Sequence, residues 1–482
     1  MNEKIILINP KMFNGAYRFF PIGIGSIAAS LFKHGIDHEF HDQHIDWQSD
    51  EDLITQIRPH GVPRMFGLTG LLTSFQSVKN LAIALKTAFP ESKIVLGGKI
   101  VVVRPDILFH NMPVDYIIRG EGEEAIIALW KALHGEGELE TIKGLTYRTA
   151  DGVIHDHGET DPVRDLDSYI IPYHRFDMEK YITSCNIQSP NVPSINMISS
   201  RGCPFSCTFC NFSLGDRVPV RFYSNLADSL DYLIQNFGLQ HVTFNDDMFT
   251  VNRNHMRRVC DIIKERKLSF SISTRLDFLN EASIALLDES GCKYLCIGIE
   301  SPSPTVAKVI DKRLNLEKFQ ANITALKQSR IVVNYGFIFG YLGETEQTIA
   351  ETRDFVLRNG ILYSAFFANA FPRTLLYEMI QDRIGDEEAY LQKLYSVDLT
   401  KDYLVNMTDI PRPRLYQLRD EIIVDSVLNL MDKRIALFSP ILRAGGLVYL
   451  AFMRRYGLRF AWIKRLFEFI NMSIVKPATK GG

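Results

Sequence analysis

The chain lacks the marks of an exported or membrane-spanning protein. Its start, Met1-Asn-Glu-Lys4 followed by Ile5-Ile-Leu-Ile8, carries no long apolar segment and no small-residue cleavage site. The nearest approach to a spanning segment, residues 435–453, is broken by Arg443 and by Gly445-Gly446. Cysteine is scarce and odd in number, seven in all. A secreted disulfide framework is therefore not expected, and a reducing cytoplasm is the expected setting. Internal repeats and low-complexity runs are missing, as is any basic and aromatic platform, so nucleic acid is not an expected partner.

What is present is an ordinary globular balance: 482 residues, 46% hydrophobic and 23% charged, enough for two or three domains. The net charge of −2 conceals an asymmetry. From Lys433 onward the only acid is Glu468 among many lysines and arginines, so the tail is basic and the remainder acidic.

Strand and helix patterns alternate from the start, with strands expected at 4–9, 38–41, 65–69, 93–96 and 116–119 and helices at 21–35 and 75–89. Such alternation predicts an α/β, doubly wound, Rossmann-like sheet that binds ligands at the carboxyl ends of its strands. Gly97 and Gly98 stand at one such end, where missing side chains let backbone approach a ligand. Residues 143–195 are proline-bearing and read as a linker with a small hairpin at Asp151-Gly152. A second series follows, with strands at 194–199, 241–245, 269–273, 294–299 and 332–339 and helices between them. It predicts a partial or complete βα barrel whose active site lies at the strands' carboxyl ends. The expected division is 1–142 for the first domain, 143–193 for the linker, 194–375 for the barrel and 376–482 for a helical region with a basic tail.

Cys203-Pro-Phe-Ser-Cys207-Thr-Phe-Cys210 has the C-x3-C-x2-C spacing that lets three thiolates hold three irons of a 4Fe–4S cluster. The fourth iron is then open to a small molecule bearing an amine and a carboxylate. A zinc knuckle or a set of structural thiols are the alternatives. Zinc wants four ligands in paired sets, and His174 and His241 are remote in sequence. Cys185, Cys260, Cys292 and Cys296 read as small buried hydrophobes.

The run from Ser199 to Cys210 resembles the signature loop of the radical S-adenosylmethionine (SAM) enzymes, and the resemblance extends downstream. Asp246-Asp247, Arg275-Leu-Asp277, Gly298-Ile-Glu300-Ser301 and Gly336-Phe-Ile338-Phe-Gly340 follow successive strands, ahead of Gly343-Glu344-Thr345. The resemblance implies that Cys203, Cys207 and Cys210 are the catalytic cluster ligands. It implies that Asp246, Asp247, Arg275, Glu300, Ser301, Gly336, Ile338 and Gly340 contact SAM. Carboxylates and hydroxyls suit ribose, Arg275 suits the methionine carboxylate, and glycines admit adenine. It further implies reductive cleavage of SAM to a 5′-deoxyadenosyl radical, with an electron donor such as flavodoxin or ferredoxin.

Upstream, Pro21-Ile-Gly-Ile-Gly25, Phe66-Gly-Leu-Thr69, Val95-Leu-Gly-Gly98 and Val114 through Glu123 look like the cobalamin-binding domain of class B radical SAM enzymes. That likeness implies cobalamin contacts at Thr69, Gly97, Gly98, Gly120 and Glu121. The Asp-x-His-x-x-Gly motif that places histidine on cobalt is replaced by Asn9-Pro10-Lys11, and Asp42-Gln-His44 follows the second strand without the glycine. No histidine ligand to cobalt is therefore expected, and loss of cobalamin altogether is the alternative. Arg221 and Tyr223 could line the space between the two cofactors or serve the fold.

The implied activity is C-methylation, against an anaerobic oxidative cyclase or a non-catalytic cobalamin or cluster sensor. In the tail, Phe460, Ile463, Phe467 and Ile470 recur on one helical face, with Arg454, Lys464, Arg465 and Glu468 opposite. Such a helix can lie on an anionic membrane or dock on the barrel. The substrate is accordingly expected to be a lipophilic small molecule, and the location cytoplasmic with peripheral contact at the inner membrane face.

Overall fold

The computed structural model describes residues 2–12, 18–183, 191–210, 219–312, 315–361 and 363–430. The basic tail and Cys185 lie outside the described residues. The first sheet contains β1 (Asn2–Asn9), β2 (His38–Asp42), β3 (Pro63–Gly70), β4 (Lys93–Gly98), β5 (Tyr116–Ile118), β6 (Leu145–Arg148) and β7 (Ile154–Asp156). Its order is β2-β1-β3-β4-β5-β6-β7, with β1 to β5 parallel. The strand order reverses between β1 and β3, which opens a crevice at their carboxyl ends.

The unbroken apolar run in β1 follows from burial on both faces. Ile5 and Leu7 enter one core, and Ile6 and Ile8 enter the other, as the period of two requires. Helix α1 (Ile22–Lys33) buries Ile24, Ala28 and Leu31 against the first of these cores.

The sheet continues past residue 142. β6 and β7 form the hairpin at Asp151-Gly152, and β6 pairs antiparallel with β5. The hairpin expected within residues 143–193 is thus an extension of the first sheet, and it covers the exposed edge of β5. Strands of four and three residues are too short to announce themselves by alternation.

The second sheet holds β8 (Ser194–Met197), β9 (His241–Phe244), β10 (Ser269–Arg275), β11 (Cys292–Glu300), β12 (Val332–Phe339) and β13 (Tyr363–Phe367). All pairs are parallel and their spatial order follows the chain, ending at β8 and β13. This is a partial barrel of six strands. β13 was not among the expected strands.

The two sheets share cores. Phe20 meets Tyr173, Phe176 and Tyr181 at ring distances of 5.0–5.4 Å, and the Asn196 side chain on β8 bonds both backbone groups of Phe20. On the other side Phe75 stacks on Tyr395, centroids 4.0 Å apart, so the post-barrel helices also pack on the first domain.

Candidate functional site

β8 delivers the chain to the cysteine loop, and a buried carboxylate shapes its entry. Asp246, after β9, accepts the Ser199 N–H at 2.7 Å, the Ser199 hydroxyl at 2.6 Å and the Ser200 hydroxyl at 2.5 Å. Burial pushes its carboxyl up to about 6. Asp246 was expected to contact SAM; instead it is buried with its oxygens bound by the loop's own donors. Asp246→Ala leaves several buried donors without an acceptor, and the expected loss is ~3 kcal/mol of folding stability, read from urea unfolding. Asp247 accepts the Gly202 N–H at 3.0 Å and remains exposed, so it keeps capacity for a ligand.

Cys203, Cys207 and Cys210 are half-buried free thiols. The loop turns through the Cys210 N–H to the Cys207 carbonyl. Thr208 anchors it: its hydroxyl bonds the Val309 carbonyl and the Tyr341 hydroxyl, and its carbonyl accepts from Leu376. Among the described residues no three His, Cys, Asp or Glu side chains converge as ligands of a single ion. Burial raises the Cys203 and Cys207 thiols, with the Arg275 charge opposing it.

Arg275, Gly298, Gly336 and Ser364 are successive register partners across four strands. Arg275 is held by Asp277 at 2.8 Å, lies over the Phe205 ring at 4.2 Å and reaches the Cys207 sulfur at 3.9 Å. Glu300 sits at φ 65°, a strained setting for a side chain of its size, and pairs with Lys312 at 3.1 Å. Ser301 is buried and accepts from Ser303. Gly336 and Ile338 share the half-exposed face of β12, and Gly340 ends that strand at φ 78°.

Lys312 escaped sequence reasoning, and Glu344, read there only as part of a motif, takes its role from burial. Lys312 is nearly buried and also donates to the Gly298 carbonyl at 2.7 Å; a lysine between helix and loop carries no local signal. Glu344 accepts the Gly340 N–H at 2.5 Å, which fixes the turn after β12. Full burial pushes its carboxyl up to about 8 from 4.5. The protonated form is therefore the one the fold favours. Its contribution is complete below about 4.5 and is lost as pH rises through about 8. Glu344→Gln should flatten that decline, as measured by urea midpoints at both ends of this window.

At the carboxyl ends of β1, β3, β4 and β5 lies a cavity of about 290 Å³. Thr69, Gly97, Gly98, Gly120 and Glu121 all line it, joined by Ser26 and Glu123. Ile198 and Arg201, from the chain leading into the cysteine loop, complete the wall. A Cβ added to Gly97 would meet nothing closer than the Ile118 carbonyl at 3.9 Å, so the glycine leaves a smooth, open floor. Gly98 and Gly120 differ. Each has positive φ, and a Cβ would strike Thr69 at 2.4 Å or Thr160 at 2.3 Å, so the chain's own packing requires them. The Glu121 carboxylate, expected to touch cobalamin, accepts from both terminal nitrogens of Arg221. Tyr223 is buried with its hydroxyl on Arg201.

Residues 197–356 match the model of the radical SAM superfamily, and residues 12–129 match that of the B12 binding domain. The chain belongs to the cobalamin-binding radical SAM enzymes. An uncharacterized methyltransferase of Pyrococcus horikoshii is 28% identical over 391 residues, covering 78% of this chain and 82% of that one. Cytidylyl-2-hydroxyethylphosphonate methyltransferase of Streptomyces wedmorensis is 25% identical, covering 81% and 84%. The fold is shared with the cobalamin-dependent radical SAM enzyme OxsB with aqua-cobalamin bound, at TM-score 0.70 and 16% identity over 98% of this chain and 75% of that one. The enzyme's cofactors are accordingly a 4Fe–4S cluster, SAM and cobalamin. Among its described residues no helix is long and apolar enough to cross a membrane.

Proposed function

We propose that this enzyme methylates an unactivated carbon of a small, lipophilic molecule. The observation that carries the reading is the shared wall: Ile198 and Arg201, which lead into the cysteine loop, line the same cavity as Gly97 and Gly120 of the B12-binding domain. Two cofactor sites that share a wall can act on one substrate between them. When bound, the cluster supplies the electron that cleaves SAM and cobalamin carries the methyl group.

The residues of the chain divide the remaining work. Cys203, Cys207 and Cys210 hold the cluster. Arg275, poised within 3.9 Å of Cys207 and steadied by Asp277, orients the SAM carboxylate. Gly336, Ile338 and Gly340 give adenine a backbone edge, and Asp247, Glu300 and Ser301 face its ribose. Thr69, Gly97, Gly98 and Gly120 form the cobalamin floor. The amphipathic sequence of the basic tail favours a lipophilic substrate taken from the inner membrane surface, with flavodoxin or ferredoxin as the reductant.

Anaerobically reconstituted protein, supplied with SAM, cobalamin, dithionite and candidate lipophilic substrates, should yield 5′-deoxyadenosine, S-adenosylhomocysteine and a product heavier by one CH2. A product that gains oxygen or loses hydrogen would sink methylation in favour of oxidative cyclisation.

A further inference from the structure

Arg201 and Arg221 are direct partners in the two-residue antiparallel ladder that closes the cysteine loop. Like charges placed opposite one another on paired strands repel, and a ladder this short does not hold itself. The repulsion is offset from the other sheet. Arg221 donates to the two carboxylate oxygens of Glu121 at 2.8 and 2.7 Å. Arg201 donates to Glu123 at 2.7 Å and lies 3.6 Å from Glu121.

These groups are well shielded. The side chains of Arg201, Arg221, Glu121 and Glu123 are 14%, 10%, 23% and 3% exposed, so water and salt screen the four charges only partly. Removing one member strands a partner in a poorly hydrated place. The two glutamates belong to Gly120-Glu121-Gly122-Glu123, the turn that lines the B12-domain cavity alongside Arg201. Ser26, on the facing helix, accepts from Arg201 at 2.9 Å. The clamp is thus at once a wall of one cofactor site and the base of the loop that holds the other.

We propose that this four-charge clamp couples the two sites, so that cobalamin in the cavity and the cluster on the loop stabilise one another. Glu121, Glu123, Arg201 and Arg221 act as positioning residues. A closed clamp holds the ladder and with it the spacing of Cys203, Cys207 and Cys210. An open clamp leaves two arginines opposed and the loop's base unpinned. The inference rests on the assignment of the cavity to cobalamin and of the cysteines to the cluster. Coupling between two binding equilibria is reciprocal, so one factor must describe both directions.

The test titrates hydroxocobalamin anaerobically into the full-length protein, cluster-free and cluster-reconstituted, with affinity read from equilibrium dialysis. The cluster-loaded form should bind at least about fivefold tighter. In Glu121→Gln and Glu123→Gln, which keep shape and remove charge, the ratio should fall below about twofold. Arg221→Lys, which keeps charge and loses the two-pronged bond, should give an intermediate ratio and serves if the glutamine variants do not fold. A ratio near one in the wild-type protein, or the full ratio retained in a folded clamp variant, overturns the coupling. Absence of saturable cobalamin binding in both forms overturns the cobalamin assignment as well. A coupling that persists while no substrate is methylated leaves the clamp standing and removes only the proposed reaction.

Discussion

Replacing Cys203, Cys207 and Cys210 together by alanine should strip the protein of iron and abolish 5′-deoxyadenosine formation while leaving cobalamin binding measurable. The three thiols sit in one half-buried loop with no disulfide partner among them. Removing a second-layer partner of a metal site typically lowers affinity by 10–100-fold, so removing every protein ligand should exceed about 100-fold. The loop's anchors are untouched, since Thr208 holds it through Val309, Tyr341 and Leu376, and Asp246 holds its entry. A folded protein without the cluster absorbance is therefore the expected product. Iron retained in the triple variant would refute the ligand assignment.

The second large effect is expected from Gly97→Leu. The backbone of Gly97 does not lie at positive φ, and the space above it is open to the cavity. Leucine can take that conformation, so β4 should keep its pairing with β3 and β5. Its side chain must then occupy the floor of a cavity of about 290 Å³. Cobalamin affinity should drop by at least about 100-fold, equivalent to ~2.7 kcal/mol. Formation of 5′-deoxyadenosine should survive, because the cysteine loop and the β10 to β12 strand ends are not involved. Equal loss of both activities would show that Gly97 serves the cysteine loop as well as the cavity. Gly98→Leu provides the contrast: with φ at 80° and Thr69 at 2.4 Å from an added Cβ, it should cost folding before it costs binding.

Much of the site was legible in the chain because its signals are local. The cysteine spacing, the glycines after β4 and β5 and the apolar run of β1 each depend on residues within a few positions of one another. Alternation of strands and helices likewise predicted both sheets, because burial on two faces demands continuous apolar runs and one-faced helices. The same local logic marked the hairpin turn but not the place of its strands in the sheet, and it missed β13. β6, β7 and β13 are short, and their place is decided by an unpaired neighbouring strand rather than by their own pattern.

What tertiary structure alone decided is how charge is disposed around the cysteine loop and the cavity of the first sheet. Asp246 and Glu121 read from sequence as ligand contacts, yet one organises the loop's entry and the other engages Arg221, a hundred positions away. Lys312 meets Glu300 across a bulged strand end, and Glu344 is neutral-favoured because it is wholly buried. The sequence by itself pointed to the chemistry available to this protein, since the cysteine spacing suits iron and the resemblance of the surrounding motifs implies SAM and cobalamin. The tertiary structure determined which side chains line the cavity and the cysteine loop and which are bound by the chain, because hydrogen bonding and burial are properties of neighbours in space that no local pattern encodes.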